Sequence, residues 1–200
     1  MTNRNKIILL TLAVILVLAI AKLTTQDTNK DTLQNIPSPN QEIEAGWKTL
    51  TSSNYSLSYP EEATSEAREN ESLIFFMGPK QIASGRTQTE LFDGYSFRIE
   101  STLIPPNTDI ENFAESQRKS AQDNCLSYET ASVSELKSIT ITNQPAFQYS
   151  AEGCYIDYTE TILSFNNNTY RISQSYTGDK EDQTTYKEIT NKILSSLEFK

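Results

Sequence analysis

The residues of this 200-residue chain that could do chemistry are few in kind. There is no histidine, which removes His-based triads, His general bases and His-rich metal sites together. Carboxylates, phenols and one cysteine pair are left. Cys125 and Cys154 are the only cysteines. They lack a C-x-x-C spacing and a histidine to complete a metal site, and in an oxidising compartment such a pair forms a disulfide. Asp157 and Glu160 fall on one predicted strand. Their odd separation puts them on opposite faces, so they cannot form the paired carboxylates of a glycosidase within that strand. Asp179, Glu181 and Asp182 cluster in a charged stretch, residues 178–183, that reads as a loop. Oxygen ligands of this kind could bind Ca²⁺, although no EF-hand spacing is present; the competing reading is a solvated acidic face. Tyr149, Tyr155, Tyr158, Tyr170 and Tyr176 could line a ligand groove with their phenols as donors, or simply pack across strands. Ser84-Gly85 sits in no G-x-S-x-G elbow, and no Gly-rich phosphate loop occurs. No catalytic constellation and no cofactor are implied.

The compartment follows from residues 7–23, IILLTLAVILVLAIAKL, whose only polar members are Thr11 and Lys22. The run is just long enough to span a bilayer as a helix. Arg4 and Lys6 precede it and by the positive-inside rule hold the N-terminus in the cytoplasm. Residues 1–23 therefore read as a signal-anchor. Ala19-Ile20-Ala21 also fits a cleavage site, which would make the protein secreted. Both readings send residues 24–200 out of the cytoplasm, which is where a cysteine pair becomes a disulfide. Residues 24–45 are polar, contain Pro37 and Pro39 and show no apolar period; they read as a disordered stalk. Residues 46–200 suit one domain with a sizeable core.

Net charge is −9. Removing Arg4, Lys6 and Lys22 from the 17 basic residues leaves 14 against 26 acidic ones in the exported part. That balance argues against nucleic acid and anionic lipid surfaces as partners.

Within the domain, residues 47–51 and 55–59 predict a hairpin ended by Pro60. Residues 61–70 read as an exposed turn or short helix. Residues 73–77 read as a strand stopped by Gly78-Pro79, and residues 80–90 as loop. Residues 95–104 alternate cleanly and predict a strand. Thr108 and Glu111 form a capping box for a helix over 109–123. Then come strands over 138–142, 146–151, 154–165 and 169–176, an antiparallel meander whose last turn is Asn166-Asn167-Asn168. A second capping box, Thr185 with Glu188, opens a helix over 186–196.

The Tyr59-Pro60 hairpin end, the capped helix, the Asn143-Gln144-Pro145-Ala146 turn, the long meander and the Ile193–Phe199 helix end, ILSSLEF, together resemble the PsbP-like family over residues 46–200. The resemblance implies an α+β fold, an antiparallel sheet flanked by helices as an α/β/α sandwich, and no enzymatic activity. It implies an accessory or binding role on the outer side of a membrane, with a protein or cell-envelope component as partner. The photosystem role is not carried over, because this chain is acidic and has no histidine. The alternative is a small-ligand or Ca²⁺ binding module.

Overall fold

The computed structural model describes residues 45–200. The expected anchor, and the stalk as far as residue 44, lie outside the described residues. Among the described residues no helix is long and apolar enough to cross a membrane.

Two antiparallel sheets and three helices make the domain. In chain order they are β1 (Trp47–Thr51), β2 (Tyr55–Pro60), β3 (Thr64–Ala67), β4 (Glu71–Met77), α1 (Pro79–Ala83) and β5 (Gly94–Thr102). There follow α2 (Ile110–Cys125), β6 (Ser132–Val133), β7 (Lys137–Ile141), β8 (Gln144–Glu152), β9 (Asp157–Phe165), β10 (Asn168–Thr177), α3 (Lys180–Ser195) and β11 (Glu198–Phe199). The large sheet runs β3-β4-β5-β10-β9-β8-β6, with β7 also paired to β8; the small sheet is β1-β2-β11. The fold is therefore α+β, as expected, and the meander β7 to β10 is present.

The hairpin β9–β10 sets the faces. Asn166 and Asn167 both have positive φ, 48° and 63°, the signature of a two-residue type I′ turn. That turn fixes Tyr170 opposite Leu163, Ile172 opposite Thr161 and Ser173 opposite Glu160. Tyr170, Ile172 and Tyr176 then share one face with Leu163, Ala146, Phe97 and Ile99. The small sheet and α3 cover this face, through Leu57, Tyr186, Ile193, Leu194 and Leu197, and the main core forms there. Arg171, Ser173, Glu160, Ile162, Phe147 and Tyr149 point the other way. On that side α2 packs over β6, β8 and β9, with Phe113 and Ala114 against Ile162. Helices thus lie on both faces.

Several expectations shift. Residues 64–67, expected as turn or helix, form strand β3 on the edge of the sheet; all four are exposed, so no apolar alternation marked them. Residues 79–83, expected mostly as loop, form α1. The cap of α2 is Asp109, whose side chain accepts from the Asn112 N–H at 2.8 Å, not Thr108. The stretch 178–183 is not a loop. Asp179 caps α3, which opens six residues before the expected start because its first turn has no apolar residue to signal it. Strand β9 begins at Asp157 and leaves Cys154, Tyr155 and Ile156 in a loop.

Cys125 at the end of α2 and Cys154 are joined by a disulfide, with Cα atoms 5.3 Å apart. The bridge closes a loop of sequence separation 29. Replacing both cysteines by serine is expected to lower unfolding stability by about 3–4 kcal/mol on the chain-entropy model, measured as a fall in urea midpoint. An unchanged midpoint would show that the bridge does not constrain the unfolded chain.

Candidate functional site

Three polar clusters and one cavity gather the residues with chemical potential. The first lies on the sheet face that α2 covers only in part. Glu160 is 3% exposed. Its carboxylate accepts from the Arg171 guanidinium and from the Ser173 hydroxyl at 3.0 Å. Arg171 also reaches Glu100 at 3.1 Å, and one strand further Arg98 reaches Glu71 at 3.0 Å. Alternating charges so cross β4, β5, β10 and β9. Burial raises the Glu160 carboxyl above its ordinary value, and Arg171 opposes that rise. Burial pulls the guanidinium of Arg171 down, but Glu160 and then Glu100 outweigh it and hold the group firmly charged. Tyr149 and Tyr158 lie beside this pair with rings edge to face at 6.4 Å. Burial pushes both phenols up, with the Glu160 charge adding to the effect.

The second cluster ties α1 to α3. Asp93 is 1% exposed. One carboxylate oxygen accepts from the Lys80 N–H at 2.8 Å, the other from the Tyr186 hydroxyl at 2.9 Å. Gln81, fully buried, accepts from the N–H groups of Phe92 and Asp93 and donates to the carbonyls of Arg86 and Glu90. Gly78 is required here. A Cβ at that position would lie 2.3 Å from both the Asp93 carboxylate and the Tyr186 hydroxyl. The Lys80 and Gln81 bonds fold the 79–93 segment onto itself, and the Tyr186 bond ties it to α3.

The third is the acidic stretch. The Lys80 ammonium donates to both Asp179 and Asp182. Its pKa is raised by the bond to Asp179 and then that to Asp182, and Asp179 is lowered by the same ammonium. Glu181 sits in the same first helical turn. A protein cation thus already occupies the place between the carboxylates that a metal would need. Among the described residues no group of three or more His, Cys, Asp or Glu is arranged to hold a metal ion.

The five tyrosines named from the sequence do not line one groove. Tyr149 and Tyr158 share the α2 side. Tyr170 and Tyr176 sit on the opposite face, 2% and 3% exposed. Tyr155, in the loop, is 62% exposed. Tyr155 and Tyr176 both line a cavity of about 330 Å³ between the 86–92 and 154–157 segments, with Leu91, Phe92 and Ile156 as its apolar walls. The Tyr155 hydroxyl donates to Glu90 across its mouth.

Sequence reasoning named Glu160 but missed Arg171 as its partner. The signal was available: a two-residue Asn-Asn turn puts Ser173 opposite Glu160, and Arg171 two positions along on the same face. The Asp93 network has no mark in the sequence, because its partners Lys80 and Gln81 on α1 and Tyr186 on α3 lie far from it along the chain.

No protein-family model matches the chain, and no curated protein matches it. Among solved structures the chain is similar to the solution structure of the cyanobacterial PsbP protein, CyanoP, of Synechocystis. The TM-score is 0.51 at 11% identity, over 82% of this chain and 98% of that one. It is also similar to the crystal structure of a protein of unknown function from Pseudomonas aeruginosa, with TM-score 0.42 and 12% identity, over 71% of this chain and 89% of that one. The first likeness supports a PsbP-like fold for residues 45–200, and at that identity it speaks for the fold alone.

Replacing Arg171 by Met strands a buried carboxylate. The expected cost at neutral pH is about 2–4 kcal/mol, below that of a fully buried pair because Arg171 is itself 36% exposed. Glu160 has a raised folded pKa, so its own contribution to stability is present below the unfolded value and lost as pH rises through the folded one. The gap between wild type and variant should therefore narrow as pH falls through the raised folded value of Glu160, and be smallest below it, where Glu160 is neutral in both. Adding Glu160→Gln to the variant should recover part of the loss at pH 7. Urea titrations at the two pH values check both points, and a gap independent of pH would exclude the pairing.

Proposed function

We propose that residues 45–200 form a non-enzymatic accessory domain that binds a protein or cell-envelope component outside the cytoplasmic membrane, with the N-terminal apolar run as its tether. The observation that carries this reading is what the buried carboxylates are doing. Asp93 and Glu160 have their acceptor oxygens engaged by the fold's own donors: two backbone N–H groups and Tyr186 for the first, Arg171 and Ser173 for the second. A general base needs a lone pair aimed at substrate, and these are aimed at the scaffold. The PsbP-like fold and the outward topology read from the sequence agree with an accessory role.

The Ca²⁺ reading is weaker, because Lys80 would have to leave Asp179 and Asp182 before a metal could enter. A cation bound there would stabilise the fold by mass action, so thermal unfolding with millimolar Ca²⁺ or with chelator should coincide.

The test is chemical crosslinking of intact cells, followed by recovery of the full chain from the membrane fraction. The expected result is one partner recovered in near-stoichiometric amount, with the chain resisting alkaline extraction of the membranes. Repeated recovery of the chain alone would overturn the binding role. Release by alkali would overturn the tether.

A further inference from the structure

The chain has ten tyrosines, all among the described residues. Seven are buried and Tyr158 is half-buried; only Tyr128 and Tyr155 are exposed, at 39% and 62%. Both lie within three residues of the Cys125–Cys154 bridge. So does Leu126, 79% exposed. Exposed apolar residues scattered singly need no explanation. Of the five exposed large hydrophobic residues among the described ones, however, these three surround a single covalent bridge, and only Ile82 and Leu103 lie elsewhere.

The bridge makes this end stiff. Besides the disulfide, the backbone of Gly153 lies against Thr130 and Ala131, so close that a Cβ would stand 2.6 Å from the Thr130 carbonyl oxygen. The Gly153 N–H donates to Asp157 at 2.7 Å. The segments 126–131 and 153–157 are thus held together before any partner arrives. Little side-chain and loop entropy is left to lose on binding, and rigid, exposed tyrosines are the residues that anchor interfaces. Next to them lies the cavity of about 330 Å³ walled by Leu91, Phe92 and Ile156, large enough to receive a side chain.

Charge chooses the partner. Glu90 and Asp157 line the cavity, and Asp123 and Glu129 flank Cys125 in the sequence. Arg86 is the cavity's one lining cation, and it is stacked on the Phe92 ring at 4.8 Å. An acidic rim around aromatic anchors complements an apolar segment carrying lysine or arginine.

We propose that this disulfide-stapled end is the domain's docking surface, and that it takes a protein segment in which aliphatic or aromatic side chains are interleaved with basic ones. The proposal rests on the binding role proposed above and gives it a place and a chemistry.

The experiment places a photoreactive benzoyl-phenylalanine in the full chain at position 155, at position 128 or, as control, at Leu103, which is 92% exposed on another loop. Intact cells are irradiated and the crosslinked peptides are mapped. The expected result is a crosslink from 155 and 128, but not from 103, to a segment with more Lys and Arg than Asp and Glu around apolar residues. The triple substitution Leu126→Ser, Tyr128→Ser and Tyr155→Ser should cut recovery of that partner at least tenfold, with the far-UV circular dichroism unchanged. Crosslinks to an acidic segment, to a small molecule or to a second copy of this chain would overturn the proposal. So would crosslinking from 103 alone, or full recovery by the triple variant, and either of these would leave the binding role standing. If no position and no crosslinker captures a partner, the binding role itself falls.

Discussion

The period-2 alternation of β9 and β10, pinned by a turn of two left-handed asparagines, is the constraint on which the rest of the domain depends. A slip of one residue would exchange Tyr170, Ile172 and Tyr176 for Arg171, Ser173 and Ser175 on the core face. Three large apolar side chains would reach the partly open face, and a guanidinium would enter a core built around Leu163, Ile193 and Leu194. The asparagines at 166 and 167 adopt positive φ more readily than most residues, and the two-residue turn leaves no spare length for the slip. β10 is also the strand that joins β5 to β9, so its register passes directly to both halves of the sheet.

The Glu160–Arg171 pair belongs to the same constraint. Burying a carboxylate is costly, and a hydrophobic pair of similar volume at this place would be at least as stable. The pair does something a hydrophobic pair would not: it forms only in the correct register, because Ser173 and Arg171 both converge on Glu160 from one strand. Glu100 and Arg98 extend the same alternation of charge outward, where α2 no longer covers the sheet. On the opposite face the Asp93 network does similar work for α1, holding it against α3 through Tyr186. Both buried carboxylates are therefore parts of the frame, and three of the five exposed large hydrophobic residues among the described ones lie beside the disulfide.

Much of this was legible in the sequence, and the exceptions share a cause. Strands such as β2, β5 and β10 alternate, so they could be read. The cysteine pair could be read as a disulfide from its number and from the lack of a C-x-x-C spacing or a histidine to complete a metal site. Strand β3 could not, since Thr64, Ser65, Glu66 and Ala67 are all exposed and its existence depends on pairing with β4 across a turn. The first turns of α3 were missed because Lys180, Glu181, Asp182, Gln183 and Thr184 present no apolar stripe; the helix there rests on the Asp179 cap and on Lys80 reaching over from another element. The five tyrosines were grouped as one surface because sequence shows type and spacing but not face. Parity within each strand, Tyr149 and Tyr158 against Tyr170 and Tyr176, separates them only once the register is known.

Nitration of the folded full chain with limiting tetranitromethane, followed by peptide mapping, tests this sorting of side chains most directly. Tyr155 and then Tyr128 should be modified first, with Tyr95, Tyr149, Tyr170 and Tyr176 protected until the protein is denatured. Early nitration of Tyr170 or Tyr176 would place β10 in another register and contradict the account of both faces.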